Sequence, residues 1–419
     1  MIERECVTLE NGLQIWLEEQ PERYTAGFGI WVASGSAMET EAQNGVSHFL
    51  EHMHFKGSTS RNAAELAARM DAIGGQMNAF TAKEYTCFYA RTLAERVGEG
   101  LDLLTDMVLH PAMKPELFET ERSVILEEIS MSNDDPEDAV GERLERAIWC
   151  RSPYGRPILG TPESIGGLTL DALNAYRARM YVPNRMAVSI SGRFDRSAVL
   201  DQLTRAFRDQ KAGAARETAE PIPYECAHLA ERRRLEQTHL CWAFPAIAAG
   251  DPRRWALVMM NGILGGSSSS RLFQRIREEL GLVYSVGSDV SLYEGGGALY
   301  IQAAVNPRDA LRAAKEIRSV LDQFALGITE EEFVRAREGL KSALRMSMES
   351  SMSRAAYAGR NALTHTVQPD DTLLAQIERV TSETVQQMAT ELAESPLQSE
   401  SVCGRATREL SEYFRKRNA

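Results

Sequence analysis

The chain has 419 residues, of which 43% are hydrophobic and 25% charged, and its formal net charge is −12. This composition is typical of a soluble protein of two to four domains, and the negative charge argues against a nucleic-acid partner. The sequence shows no run of 18 or more apolar residues, no start resembling a signal or transit peptide, and six scattered cysteines typical of free thiols. We therefore predict a cytoplasmic protein with no membrane partner.

A histidine-rich helix follows the first predicted buried strand, which lies within 25–38. It contains the pentad His48-Phe49-Leu50-Glu51-His52. On a helix, His48 and His52 share one face and can bind one zinc ion, and Glu51 can hold a water and take its proton. The alternative is an amphipathic helix with two surface or core histidines and an unrelated glutamate. The apolar residues beside the pentad predict partial burial, where unsatisfied imidazoles are costly.

The next elements alternate between helix and strand. Residues 62–73 predict a helix that ends at the glycine pair 74–75, and 76–81 predict a short strand. Residues 86–93 predict another strand, followed by a helix with apolar residues at helical spacing. A long helix then begins at Pro115 and runs to about Met131.

The Pro115 helix is the best source of a third zinc ligand. Zinc with two histidines needs one more protein ligand and keeps a fourth position for water. The candidates are Glu116, Glu119, Glu121, Glu127 and Glu128. Glu121 and Glu128 share a face but lie about 10.5 Å apart along the axis, so one would ligate while the other braces a histidine or positions water. For most of these glutamates a charged solvent face is the alternative interpretation.

The polar segment 211–223 predicts a linker between a zinc-binding domain, 1–210, and a second domain, 224–419. The halves are similar, because the strand 86–93 and a strand over 298–305 are each followed by a helix and carry a central tyrosine, Tyr89 or Tyr300. Any two strand–helix pairs share some likeness, so this similarity alone leaves duplication open. We predict α+β domains with largely antiparallel sheets.

Several stretches resemble the pitrilysin or insulinase-type zinc peptidases, the inverzincins, and most closely their mitochondrial processing peptidase-like branch. Besides the pentad and Glu128, the matching segments are 45–57, 75–81, 154–160 and 270–285. The resemblance covers essentially the whole chain. Two features depart from the family pattern: His54 replaces a commonly aliphatic residue, which leaves its role open, and the loop 265–270 is short and rich in serine.

The resemblance implies a role for each matching residue in the first half. It implies that His48, His52 and Glu128 bind one Zn²⁺ per chain. Glu51 would be the general base, and Glu121 would support the site from behind the ligands.

Further residues are implied to handle the substrate. Arg277 and Tyr284 would stabilise the oxyanion or hold the substrate backbone. The strand containing Asn78, Ala79 and Phe80 would bind an extended substrate along a sheet edge, although by itself it looks like an ordinary edge strand.

The implied function is that of a zinc-dependent endopeptidase that hydrolyses peptides or unfolded polypeptides. Each chain would form two similar domains, a bowl-like half of a clamshell, and would pair as a homodimer, or with a homologue, around a chamber. The alternative is a non-catalytic, processing-peptidase-like structural or partner subunit. A zinc-dependent hydrolase of another class would also use an open fourth position.

Overall fold

The computed structural model describes residues 4–217 and 219–417. Its strands are β1 (Glu5–Thr8), β2 (Gln14–Glu19), β3 (Thr25–Val32), β4 (Gln76–Thr81), β5 (Thr86–Leu93), β6 (Met186–Gly192), β7 (His228–Arg232), β8 (Thr238–Ala246), β9 (Val283–Tyr293), β10 (Gly296–Val305) and β11 (Ser399–Gly404). None of the helices in the described part of the chain has the length and apolar character needed to cross a membrane.

The helices are α1 (Val46–His54), α2 (Ala63–Ala72), α3 (Val97–Leu109), α4 (Pro115–Asp134), α5 (Pro136–Ile148), α6 (Pro162–Gly167), α7 (Leu170–Met180), α8 (Arg196–Phe207), α9 (Arg254–Leu264), α10 (Ala310–Leu326), α11 (Glu330–Ser347), α12 (Ser351–Ala362), α13 (Asp370–Glu378), α14 (Ser382–Ala393) and α15 (Thr407–Arg417). A π-helical segment covers Phe273–Glu279. Short 3-10 turns cover Ser36–Met38, Glu41–Gln43, Ala94–Arg96, Pro153–Gly155 and Pro183–Arg185.

Two compact units are present, and neither is continuous in sequence. Unit 1 contains the described residues of 1–129, 156–218 and 344–369, and unit 2 contains those of 130–155, 219–343 and 370–419. Each unit therefore includes one segment from the opposite sequence half. No helix or strand covers the described residues of 211–223. The domain boundary placed there stays a prediction.

Unit 1 is built on a six-stranded sheet of order β1-β2-β6-β3-β5-β4. All neighbouring strands are antiparallel except β2 and β6, which are parallel. Because β4 is the last strand, one of its backbone edges is not used by the sheet. This edge strand coincides with the predicted strand 76–81.

The two faces of the unit 1 sheet are covered by different helices. One face contributes Phe28, Ile30 and Phe88 to the main core, which also contains Phe49 and Leu50 of α1. Helix α12 covers the other face at short range, because a Cβ on Gly359 would lie 1.9 Å from the Trp31 indole nitrogen. Since α12 belongs to the second sequence half, unit 1 depends on a segment far downstream of its sheet.

Unit 2 repeats the topology of unit 1. Its five-stranded sheet has the order β7-β11-β8-β10-β9, and only β7 and β11 are parallel. Adding five to each strand number in the unit 1 order β2-β6-β3-β5-β4 gives the unit 2 order. The prediction of two similar α+β domains with largely antiparallel sheets is therefore confirmed. Each sheet also contains one parallel pair, which the strand patterns did not indicate. Helix α9 of unit 2 occupies the chain position of α1, between the second and third strands of the repeat.

Candidate metal centre

The pentad lies on helix α1, as its spacing predicts. Gly45 precedes the helix with φ of 91°, a left-handed conformation that glycine adopts without strain. Phe49, Leu50 and Met53 are fully buried, which fixes the helix against the sheet core. The face carrying His48 and His52 consequently projects away from that core.

Helix α4 brings two glutamates to α1. It begins at Pro115, a position where the missing backbone N–H costs nothing, and it buries Phe118, Ile125 and Ile129. Glu121 and Glu128 contact the two histidines, whereas Glu127 is exposed and lies outside the cluster. Helix α4 therefore provides Glu128 as a candidate metal ligand and Glu121 as a support for His52. The seven-residue spacing predicts this division.

His48, His52 and Glu128 form a group that could hold a metal ion, with one ligand atom from each within 4.8 Å of the others. The Nε2 atoms of both histidines lie 3.7 Å from Glu128 Oε2. Ligand atoms about 2.1 Å from a tetrahedral zinc ion are separated by about 3.4 Å, so the arrangement needs little adjustment. Two imidazoles and a carboxylate are also a common ligand set of catalytic zinc, which leaves one position open to solvent.

Glu121 contacts the opposite side of His52. Its Oε2 lies 3.1 Å from His52 Nδ1, and its Oε1 lies 2.6 Å from Lys56 Nζ. Because Glu121 is 2% exposed, this carboxylate is held in place. A carboxylate accepting the Nδ1 proton leaves the lone pair of His52 on Nε2, which faces Glu128.

His48 is more deeply buried than His52. Burial, together with the nearby His52, lowers the pKa of His48 to about 3. The imidazole is therefore neutral and can donate a lone pair to a metal. Its Nδ1 is buried and has no hydrogen-bond partner among the described residues.

The general-base candidate, Glu51, lies beside this group and contacts the edge strand. Its Oε2 accepts a hydrogen bond of 2.5 Å from the hydroxyl of Thr81, the last residue of β4. Burial raises the pKa of Glu51, while Thr81 and His52 oppose this change. The carboxyl group thus has a proton affinity closer to that required of a base working near neutral pH.

Strand β4 carries the three residues predicted to bind substrate. Along β4, exposed and half-buried residues alternate, and β5 is its one partner strand in the described part of the chain. Phe80 is 40% exposed, and its ring lies 6.1 Å from Trp31 and 6.2 Å from Tyr89. Asn78 accepts a hydrogen bond from the amide of Ala79.

Arg277 and Tyr284 lie next to one another in unit 2. Arg277 is on the π-helical segment, and Tyr284 is at the start of β9, the edge strand of the second sheet. The guanidinium carbon is 5.8 Å from the Tyr284 ring centre and 4.7 Å from that of Phe273. Tyr284 is 76% exposed, so its hydroxyl is accessible to a ligand.

Two family models match the chain. The insulinase model (peptidase family M16) matches residues 14–162, which include the three candidate metal ligands. The model described as the peptidase M16 inactive domain matches residues 167–340. The chain belongs to the insulinase family of peptidases. The branch within the family stays a prediction.

Bacterial relatives of this insulinase-family chain carry the name of zinc protease. One such uncharacterised zinc protease, from Bacillus subtilis, is 38% identical over 85% of this chain and 87% of its own length. Another, from Streptomyces coelicolor, is 36% identical over 91% of this chain and 85% of its own length. The zinc-protease family assignment is therefore supported along nearly the full chain.

Solved structures show the same fold. A crystal structure described as the peptidase M16 inactive domain from Pseudomonas fluorescens has a TM-score of 0.90 at 19% identity and covers 96% of this chain and 98% of that one. A protease from Helicobacter pylori has a TM-score of 0.90 at 20% identity, with coverage of 96% and 99%.

His54, whose role the sequence left open, is a core residue in this member of the insulinase family. It is fully buried, and its Nδ1 lies 2.6 Å from the carbonyl oxygen of Leu50. Its ring packs against Phe88 and stacks on Tyr181. It points into the core and away from the metal group, as its offset of two residues from His52 predicts.

Two residues of the site were missed by reasoning from sequence. Thr81 binds the base candidate, and Glu39 contacts the start of α1 through a buried carboxylate. Neither has a spacing that indicates its role, because each reaches α1 through the tertiary fold. Glu39 follows the uncharged stretch 25–38, but Glu41 lies two residues further on, so no sequence signal singled out Glu39.

Proposed function

We propose that this protein is a zinc-dependent endopeptidase that hydrolyses unstructured peptides. The observation that carries the proposal is the convergence of His48 Nε2, His52 Nε2 and Glu128 Oε2 next to Glu51 and a free sheet edge. A metal, a base and a backbone-binding edge are the three parts that peptide hydrolysis at a metal centre needs.

His48, His52 and Glu128 would hold zinc, which when bound supplies a Lewis acid for a water and a carbonyl oxygen. Glu51 would accept a proton from the attacking water and pass it to the leaving amine. The hydrogen bond from Thr81 keeps the Glu51 carboxylate oriented for this transfer.

The free edge of β4 would bind the substrate as an added strand. Pairing through backbone groups requires an extended chain and tolerates different side chains. Asn78, Ala79 and Phe80 would line this edge, with the exposed Phe80 ring next to a substrate side chain. The substrate class is therefore peptides and unfolded polypeptides.

Arg277 and Tyr284 would act on the same reaction by stabilising negative charge on the substrate carbonyl or by holding its backbone. Their mutual contact and exposure support this role. We further propose a homodimer around a chamber, in which each chain supplies one metal group and one Arg277–Tyr284 pair. A paired homologue is the alternative partner.

Hydrolysis of a quenched, unstructured peptide tests the proposed activity. We expect cleavage by the zinc-loaded protein, loss of cleavage on treatment with a chelator and recovery on addition of zinc. The Glu51→Gln protein should bind zinc normally but lose about 100-fold or more of its rate, because the proton acceptor is removed. Glu128→Ala should lose both metal and activity.

Glu127→Ala is a matched control for Glu128→Ala, because it removes a neighbouring, exposed carboxylate of α4 that lies outside the metal group. It should retain zinc and activity. A Glu51→Gln protein with the full wild-type rate would refute the assignment of the base. Stoichiometric zinc in Glu128→Ala would place the third ligand elsewhere.

A further inference from the structure

The two metal-binding histidines of the proposed site are supported differently. Metal-ligating imidazoles commonly donate their second N–H to a partner that fixes the ring. Glu121 provides this partner for His52, 3.1 Å from Nδ1. The corresponding Nδ1 of His48 has no such partner among residues 4–217 and 219–417. The position of His48 therefore depends on ring packing and on the backbone of the turn that carries it.

That turn is held by Glu39, a 4%-exposed residue from the 3-10 region before α1. Glu39 Oε1 accepts a hydrogen bond of 2.8 Å from the amide of Ser47, and Oε2 accepts one of 2.7 Å from the amide of Gly45. Ser47 directly precedes His48. The carboxylate thus binds two backbone amides of the turn that projects the first histidine.

The helix cannot obtain this cap from its own N-cap residue. Gly45 has no side chain, and a Cβ at this position would lie 2.8 Å from the carbonyl oxygen of Leu159 and 2.6 Å from the Ile165 side chain. Serine, aspartate or asparagine would collide there, although these residues usually satisfy the first amides of a helix. A carboxylate from outside the helix fills this role and also complements the positive end of the helix dipole.

Glu39 is itself fixed to a neighbouring loop. The side-chain amide of Asn44 donates a hydrogen bond of 2.9 Å to Glu39 Oε2 and another of 2.8 Å to the carbonyl oxygen of Pro157. The guanidinium of Arg156 also binds the Glu39 carbonyl oxygen. Burial raises the pKa of the Glu39 carboxyl, but the amide hydrogen bonds it accepts favour the ionised form. The first turn of α1 is therefore tied to the segment at Arg156 and Pro157.

The equivalent helix of unit 2 lacks this arrangement. Helix α9 carries no histidine or acidic residue, and its start is served by a local, partly exposed residue, Asp251, which accepts from the amide of Arg253. A buried carboxylate from outside the helix, Glu39, is thus found at α1, which carries the proposed ligands, and not at α9.

We propose that Glu39 is a positioning residue for the metal centre: by holding the Gly45 and Ser47 amides it fixes the turn that places His48. It supports His48 through the backbone, as Glu121 supports His52 through the imidazole. This inference rests on the proposed zinc site and adds the residue that orders its less supported ligand.

The test compares zinc binding by Glu39→Gln and Glu18→Gln in the full-length protein. A glutamine at position 39 keeps one acceptor oxygen, so either the Gly45 or the Ser47 amide loses its partner. Glu18 is a matched control, because it is a 3%-exposed carboxylate of the same unit that binds Arg354, Gln20 and Ser191. It contacts α12, which covers the sheet face opposite α1.

Zinc affinity is measured by competition with a chromophoric chelator, and ligand geometry by the visible absorption of the cobalt-substituted protein. We expect Glu39→Gln to bind zinc about tenfold or more weakly, with an altered cobalt spectrum. Glu18→Gln should lower the urea midpoint but keep the wild-type affinity and spectrum. Glu39→Asp has a shorter side chain that cannot reach both amides, so it should reproduce the Glu39→Gln result. If Glu39→Gln does not fold, Glu39→Asp provides the test.

Wild-type zinc affinity and an unchanged cobalt spectrum in Glu39→Gln would overturn the inference. So would an equal loss of affinity in Glu18→Gln, because the effect would then follow general destabilisation. These outcomes leave the metal site itself intact. Failure of the wild-type protein to bind zinc would instead contradict the proposed function.

Discussion

Three histidines within seven residues of α1 have different surroundings and therefore different chemistry. His48 and His52 face Glu128 at the surface of the helix, whereas His54 is enclosed by Phe88 and Tyr181. Burial lowers the pKa of His54 to about 3, so it is a neutral core residue. Helical position alone separates the candidate ligand His52 from the core residue His54, because a two-residue step turns the side chain by about 200°.

Replacing His54 by leucine tests this division. We expect His54→Leu to retain stoichiometric zinc, because the residue does not face the metal group. The change removes the contact between Nδ1 and the Leu50 carbonyl oxygen, for which we expect a loss of about 1–2 kcal/mol in the free energy of unfolding. Zinc content and urea denaturation measure the two effects. His52→Leu is the comparison and should lose the metal; loss of zinc from His54→Leu would place His54 in the site.

At the scale of elements, close contact between α12 and the unit 1 sheet depends on a glycine. A Cβ on Gly359 would overlap the Trp31 indole, so Gly359→Ala requires the helix to move off the sheet. We expect this change to destabilise the protein by about 1–3 kcal/mol, as for other overpacked sites. Urea denaturation measures the change.

The control for Gly359→Ala is Gly339→Ala in α11. Both glycines are inside helices, but a Cβ at Gly339 would meet no described atom within 4 Å beyond its chain neighbours and the adjacent helix backbone. There alanine should raise the free energy of unfolding by about 0.5–1 kcal/mol through helix propensity. Equal effects of the two substitutions would show that α12 does not pack on Trp31.

A charge pair connects the start of α11 to the segment before Arg277. Arg271 binds both carboxylate oxygens of Glu332, at 2.6 and 2.7 Å, and the Thr329 amide donates to the same carboxylate. Burial alone would raise the pKa of Glu332, but these hydrogen bonds outweigh it and hold the pKa at about 2. The Glu332 carboxylate therefore binds a proton more weakly in the folded state than in the unfolded state.

The contribution of Glu332 to stability is present above its ordinary pKa of about 4.5 and is lost as the pH falls from there toward 2. We expect Glu332→Gln to lower the free energy of unfolding by about 1–2 kcal/mol at pH 7, after allowance for solvent screening. Between pH 4.5 and 3 the difference from wild type should shrink. Urea denaturation across this range measures it, and a constant difference would contradict the role given to the Arg271 pair.

Local patterns predicted the strands β4 and β5 and the helices α1, α2 and α4, because each has its own apolar period and end signals. The pairing of β2 with β6 was not predictable in this way, since parallel partners lie far apart in sequence. The placement of α12 on unit 1 is also set by tertiary packing, through Gly27 and Gly359. The candidate ligands His48 and His52 share one helix turn and could be picked out locally, whereas Glu39 and Thr81 became visible only in the folded structure.

At the scale of the whole molecule, the two copies of the topology carry different candidate residues. Helix α1 of unit 1 carries two of the candidate metal ligands, and its counterpart α9 in unit 2 has no histidine or acidic residue. Unit 2 instead presents Arg277 and Tyr284 around the start of its own edge strand. Under the proposed function, one copy of the fold would hold the metal and the other would handle the substrate.

Mixing two inactive proteins tests whether this division extends across a homodimer. Glu51→Gln lacks the base and Arg277→Ala lacks the guanidinium. If Arg277 serves the metal site of the partner, each mixed dimer has one complete site, and random exchange restores up to about a quarter of wild-type activity. Glu51→Gln mixed with Glu128→Ala is the control and should stay inactive, because both changes affect the same metal site. Absence of recovery after subunit exchange, confirmed by sedimentation of labelled chains, would show that Arg277 does not serve the metal site of the partner chain.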